Sequence, residues 1–215
     1  MDIIYEDKDI IVLNKERGVP CQADKTGCPD LYSEVYSYLQ GPAHLGLVHR
    51  LDRPVGGVIV FAKNKSFTQI ISGQVSNRSV IKKYTALVCG EAKINENLEC
   101  CLIKNQRLNI SRVVNKNEGG AKLARLNYKL LQKKKNKEFG YVSIIEIELF
   151  TGRHHQIRAQ LADAGLPVYG DTKYNKYFMH NKGFVKMGLY STHFEFYNPK
   201  LKKNMAFRFS PDIQI

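Results

Sequence analysis

The sequence predicts an α+β fold: a mixed, mostly antiparallel central sheet with flanking helices. Three observations carry that reading. Strand-type segments dominate and do not alternate strictly with helices, which disfavours a doubly wound parallel sheet. Residues 98–150 read as a β-meander, in which Ala124, Leu126, Tyr128 and Leu130 alternate with Leu123, Arg125, Asn127 and Lys129. A chain of 215 residues, 43% hydrophobic and 25% charged, is large and apolar enough to bury a sizeable core. No internal repeat or long Gly/Ser/Pro linker divides it, so one domain over 1–215 is expected.

The elements follow in order. Residues 3–5 and 10–14 are short strands separated by the acidic turn Glu6-Asp7-Lys8-Asp9. Leu31, Val35, Tyr38 and Leu39 recur at helical spacing behind Pro29. The apolar run 57–63 is a buried strand. Phe67, Ile70, Ile71 and Val75 give an amphipathic helix that ends before Asn77, and 81–90 returns to a strand. In the meander, 133–138 is a charged hairpin loop and 141–150 its return strand. A third helix covers 154–164 and stops at Gly165, a C-terminal cap. Tyr190, Thr192, Phe194 and Phe196 alternate in a late strand, and 205–209 forms the last.

The formal net charge is +13 and unevenly spread. Asp2, Glu6, Asp7 and Asp9 crowd the start, whereas Lys133-Lys134-Lys135, Lys137, Lys200, Lys202 and Lys203 cluster later. Such clusters suit phosphate backbones, although a lysine-rich solvated surface looks the same in sequence. The five cysteines include no Cys-x-x-Cys pair, and Cys100 and Cys101 would point to opposite faces of a strand. Reduced thiols are the simplest account. No signal peptide opens the chain and no apolar run nears a membrane span, so a soluble, cytoplasmic protein with no membrane partner is expected.

Four segments are candidates for chemistry. In His49-Arg50-Leu51-Asp52-Arg53, one carboxylate is bracketed by arginines just before a buried strand. Opposite charge favours its anionic form, and a rigid strand can hold it at a cleft. In a strongly basic chain this points to a carboxylate acting on a nucleic acid, against the plainer reading of an exposed strand end. The second segment is Thr151-Gly152-Arg153-His154-His155-Gln156-Ile157-Arg158 at the start of the third helix. His155 and Arg158 would share a helical face, whereas His154 and His155 would point apart. No cysteine or carboxylate stands at ligand spacing, so a metal is not expected. Arg158 better suits a bidentate pair with a carboxylate. The third segment is Lys82-Lys83-Tyr84-Thr85-Ala86-Leu87-Val88, where Tyr84 is either core or a face for stacking a splayed base. In the fourth, Gly165-Leu166-Pro167-Val168-Tyr169-Gly170-Asp171, glycines and proline set backbone geometry.

Together and in this order, these segments resemble the RluA-type family of RNA pseudouridine synthases over nearly the whole chain. The family's His-Arg-Leu-Asp block matches His49 to Asp52, and its Lys-x-Tyr-x-Ala strand matches Lys82, Tyr84 and Ala86. Its Thr-Gly-Arg-x-His-Gln-Ile-Arg block matches Thr151 to Arg158, followed by Gly165, Pro167, Gly170 and Asp171. Asn14-Lys15 with Gly18-Val19-Pro20 is similar to its opening segment. The resemblance implies the pseudouridine synthase fold and isomerisation of uridine to pseudouridine in structured RNA, ribosomal or transfer, with no metal or organic cofactor. It implies that Asp52 is the essential catalyst, that Tyr84 lies against the base and that Arg158 pairs with the aspartate. It also implies that Arg50 fills the gap left by a flipped nucleotide, and His49, Arg53, Arg153, His155 and Ile157 are expected to join the substrate-binding set.

The chain departs from the pattern at Val55-Gly56-Gly57, where the family usually has Thr-Ser-Gly. Glu16 replaces the usual proline, and Gln160 stands where a histidine is common. The pattern begins almost at Met1, so a short form without an N-terminal RNA-binding domain is expected. RNA recognition then falls to the catalytic domain's own basic surface, with 133–137 as a candidate clamp and a monomer as the expected state. Two other readings stand beside this one. A non-catalytic RNA-binding module or RNA chaperone would keep the scaffold and bind RNA with strong salt dependence. A carboxylate-based glycoside hydrolase would need a second acid, for which the motif-rich segments offer Asp171.

Overall fold

A computed structural model describes residues 1–180 and 185–215. In chain order the elements are β1 (Asp2–Glu6), β2 (Ile10–Lys15), α1 (Leu31–Tyr38), β3 (Gly46–Leu47), β4 (Gly56–Ala62), α2 (Lys65–Ser76), β5 (Ile81–Cys89) and β6 (Asn95–Asn105). Then follow β7 (Ile110–Val114), β8 (Lys122–Asn136), β9 (Gly140–Leu149), α3 (Gln156–Asp163), β10 (Leu189–Asn198) and β11 (Lys203–Arg208). The strands are mixed in direction, as expected. The chain divides into two compact units, Met1–Lys82 with Tyr190–Pro211 and Lys83–Leu189 with Asp212–Ile215.

In the first unit the strand order is β1-β2-β4-β10, with β3 on β4 and β11 on β10. The β4–β10 pairing is parallel and the others are antiparallel. Every residue of β2 except Asn14 is buried, and so is all of β4. Both are therefore covered on two faces, which explains their unbroken apolar runs. Helix α2 packs Phe67 and Ile71 into a cluster with Val12, Val58, Val60, Phe194, Phe196 and Phe207. Asn64 caps that helix by accepting from the Phe67 N–H at 3.0 Å, and Asp30 caps α1 through the Ser33 N–H at 3.1 Å. The cap of α1 thus follows Pro29 directly. The two-residue β3 went unpredicted, because so short a run carries no period.

Gly57 fixes how closely β4 approaches β10. Its φ is +105°, and a Cβ there would lie 2.0 Å from the Ser191 carbonyl oxygen. Gly57→Ala is expected to cost at least about 3 kcal/mol, from overpacking and strained backbone together, read as a lower denaturation midpoint.

In the second unit the order is β5-β9-β8-β6-β7, antiparallel throughout. The predicted alternation in β8 holds, with Ala124, Leu126 and Tyr128 buried. The hairpin loop is shorter than predicted. Lys133, Lys134 and Lys135 belong to β8 and pair with Ser143, Val142 and Tyr141 of β9, after a bulge between Leu130 and Gln132. Charge masked the strand because both faces of its outer end are exposed. Helix α3 sets Ala159 against Leu102 and Ala124. It ends as predicted: Gly165 has φ +76°, its N–H donates to Ala162, and the Leu166 N–H donates to Leu161 at 2.8 Å. All five cysteines are free.

Candidate active site

Asp52 opens a turn in the first unit, closed by the Val55 N–H donating to the Asp52 carbonyl at 2.9 Å. Its side chain is half-buried, and Arg50 beside it is exposed. Buried side chains hold the backbone on both flanks of Asp52. On one flank, the Leu51 N–H donates to Cys21 Sγ at 3.3 Å, and the Cys21 thiol donates back to the Leu51 carbonyl at 3.2 Å. Burial pushes the Cys21 thiol pKa up, which keeps it a neutral donor.

On the other flank stands Lys15, 1% exposed. Its Nζ donates to the carbonyls of Glu16 at 2.9 Å, Val19 at 2.7 Å and Arg53 at 3.2 Å. Desolvation lowers the Lys15 pKa to about 8, although the negative charge of Asp52 pulls it the other way. Arg53, predicted to touch substrate, staples the loop before α1. Its Nε donates to the Gly18 carbonyl at 2.8 Å, and Nη1 reaches Thr26 Oγ1 at 3.1 Å. His49 accepts from the Val60 N–H through Nε2 at 3.1 Å and stacks on Phe194 at 4.3 Å. Desolvation, with Lys82 adding to it, drops its pKa to about 3, so the ring is neutral and bears its proton on Nδ1. His49 and Arg53 therefore shape the turn that carries Asp52.

The replaced hydroxyls at 55 and 56 have a local explanation. Val55 is buried, and a Cβ on Gly56 would meet Arg17 Cγ at 3.0 Å and the Lys15 carbonyl at 3.2 Å. The Arg17 stem, with its guanidinium 5.0 Å from the Tyr190 ring centre, occupies the space that a larger residue at 56 would need.

In the second unit Tyr84 is buried on β5 opposite Ile147 of β9. The segment from Thr151 to Arg158 folds around Gln156, a residue whose part sequence reasoning missed. Thr151 Oγ1 donates to Gln156 Oε1 at 2.7 Å, and the Arg153 N–H donates to the same oxygen at 3.0 Å. Gln156 Nε2 donates to the Arg125 carbonyl at 3.1 Å and to Gln160 Oε1 at 2.9 Å. Gln160, in the usual histidine position, donates on to the Leu98 and Ala124 carbonyls at 3.1 and 3.3 Å. Arg153 Nε donates to the Leu123 carbonyl at 3.0 Å, and Ile157 is buried.

The two histidines correct the sequence reading. Neither lies in α3: His155 is its N-cap residue in a left-handed conformation, φ 51° and ψ 26°. That turn brings the rings together, stacked 3.8 Å apart, instead of on opposite sides. His155 Nδ1 bonds the Tyr174 hydroxyl at 2.9 Å, and His154 Nδ1 bonds Ser111 Oγ at 3.0 Å. Among the described residues no group of three or more His, Cys, Asp or Glu gathers to hold a metal ion.

Arg158 is buried and gripped by Asp171 in a fork, Nε to Oδ2 at 2.7 Å and Nη2 to Oδ1 at 2.8 Å. The guanidinium also lies 5.0 Å from the centre of the Tyr174 ring. Sequence reasoning took Asp171 mainly as a turn residue. Its place at Gly-Asp after a helix gave no sign of a charge partner.

The fold and these motifs define a class. Residues 9–163 match the model of the family described as RNA pseudouridylate synthase, and the chain belongs to that family, in its RluA-type branch. A Buchnera aphidicola ribosomal large subunit pseudouridine synthase C is 31% identical over 210 residues, covering 94% of this chain and 64% of that protein. A protein of the same description from Rickettsia prowazekii is 34% identical over 173 residues, covering 80% of this chain and 55% of that one. An uncharacterized RNA pseudouridine synthase of Bacillus subtilis is 31% identical, covering 81% and 57%. The chain thus spans about three fifths of the length of these relatives. Among solved structures, human RNA pseudouridylate synthase domain containing 1 superposes with a TM-score of 0.82 at 21% identity, covering 98% of this chain and 83% of that one. That likeness speaks for the fold.

Proposed function

We propose that this protein isomerises uridine to pseudouridine in ribosomal RNA, with Asp52 as the catalytic carboxylate. The observation that carries the reading is Asp52 itself: half-exposed, at the family's motif position, on a turn pinned at both neighbouring residues by Cys21 and Lys15. A catalyst must be held within a fraction of an ångström, and a backbone braced by buried groups supplies that.

Asp52 acts at the reacting nucleotide while the N1–C1′ glycosidic bond breaks and a C5–C1′ bond forms in its place, with C5 losing its proton and N1 gaining one. By the family's pattern, Arg158 pairs with it as a hydrogen-bond donor and Tyr84 confines the detached uracil as it turns. A uridine inside a structured region must leave its stack first, at a cost of a few kcal/mol, about the scale that one well-placed side chain offsets. Arg50, exposed two residues from Asp52, takes the vacated space. Relatives named for the large ribosomal subunit favour ribosomal over transfer RNA as substrate. The basic end of β8 at Lys133, Lys134 and Lys135 is the surface proposed to hold the RNA backbone. Mapping pseudouridines in cells with and without this gene tests the reading. A ribosomal uridine that stays unmodified without the gene is expected. Loss confined to transfer RNA would overturn the substrate assignment, and loss nowhere would overturn the activity.

A further inference from the structure

A buried arginine such as Arg158 needs both its charge and its orientation provided for by its neighbours. Asp171 is fully buried, and the structure gives it a dense set of donors. Besides the two Arg158 nitrogens, the backbone N–H groups of Lys173 and Tyr174 donate to Oδ1 at 2.9 and 3.2 Å. Both carboxylate oxygens are thereby fixed, and with them the plane of the fork. Tyr174 is fixed in turn: its hydroxyl accepts from the Ser111 N–H at 2.6 Å and bonds His155 Nδ1 at 2.9 Å. Its ring then stands against the guanidinium. The result is a cradle of one carboxylate and one aromatic ring, tied to β7 through Ser111 and to the start of α3 through His155.

We infer that Asp171 and Tyr174 are positioning residues for the isomerisation: they hold the Arg158 guanidinium in one orientation and supply its counter-charge. This rests on the proposed catalytic part of Arg158. It adds that Arg158 works as an oriented hydrogen-bond donor within a balanced buried pair, because Asp171 already matches its charge. A lone buried guanidinium would be costly to fold and free to rotate. A forked pair keeps Nη1 aimed by geometry alone. The second acid that a glycosidase would need is thereby committed to a structural partner in this unit.

Three variants and their combination test the idea, assayed by tritium release from 5-tritiated ribosomal RNA transcripts, with folding followed by thermal denaturation. Asp171→Asn is expected to lower kcat about 100-fold, the scale of a small misplacement, with KM for RNA within about 3-fold of wild type. In an Arg158→Ala background the same substitution is expected to add less than about 3-fold, because its effect runs through the arginine. Should Asp171→Asn fail to fold, Asp171→Glu keeps the charge and shifts the carboxylate by one methylene. It is expected to fold and to lose at least about 10-fold in kcat. Wild-type kcat in a folded Asp171 variant, or effects that multiply fully with Arg158→Ala, would overturn the inference while leaving the catalytic reading intact. If Arg158→Ala alone turned over at the wild-type rate, the reading of Arg158 would fall and the inference with it.

Discussion

Asp52→Asn is expected to abolish pseudouridine formation, with kcat down by at least about 1,000-fold, while RNA affinity stays within about 3-fold of wild type. Asparagine has nearly the same shape, so the turn that carries it should survive. Asp52 lends that turn its backbone carbonyl, which accepts from Val55, and the substitution leaves this bond intact. The braces at Leu51 and Arg53 are backbone contacts and are also unaffected. What is lost is a negative oxygen able to attack or to take a proton. A binding module or chaperone on the same scaffold would show no catalytic change, so the kinetic readout separates the two. Equilibrium binding at several salt concentrations, alongside single-turnover conversion, gives both quantities.

Lys15→Met is expected to destabilise the protein by about 3 kcal/mol at neutral pH, because the carbonyls of Glu16, Val19 and Arg53 lose their shared donor. The pH dependence distinguishes this from simple loss of packing. The Lys15 pKa falls from its ordinary 10.5 in the unfolded chain to about 8 in the folded one. Between those values the unfolded state holds more protons than the folded state, so wild-type stability from this group rises with pH. Below about 8 the lysine is charged in both states and contributes no slope. The gap between wild type and Lys15→Met should therefore widen by about 3 kcal/mol from pH 7 to 10.5, since other titrating groups cancel in the difference. Urea denaturation of both proteins across that range measures it. A gap independent of pH would mean that Lys15 is not the buried titrating group.

Periodicity made the apolar skeleton legible. The two-sided burial of β4, the stripe of α2 and the alternation in β8 each follow from side-chain spacing, and Gly165 marked the end of α3 because only its backbone needs a left-handed turn there. The same logic failed where polar or charged residues interrupt the apolar pattern. Lys15 reads as a surface residue by type, yet a buried ammonium is stable when carbonyls surround it, and those carbonyls come from a loop whose path no pattern encodes. The lysines at 133–135 read as a loop because the outer end of β8 is exposed on both faces and produces no alternation. Sequence continuity places His154 and His155 in a helix, but a left-handed residue at the helix start changes both ring directions. Motif residues such as Asp52 and Arg158 stood out individually. Their supporting groups, Cys21, Gln156 and Asp171, are recognisable only once distant segments meet.

Catalysis by the purified protein alone is the decisive property. Ribosomal RNA transcribed with 5-tritiated uridine, incubated with the wild-type protein without added metal or cofactor, should release tritium at one or a few discrete positions. The released amount should plateau at a whole number of equivalents per RNA. Tight, salt-sensitive binding of that RNA with no tritium release, under conditions where ribosomal uridines depending on this gene in cells are present in the transcript, would contradict it.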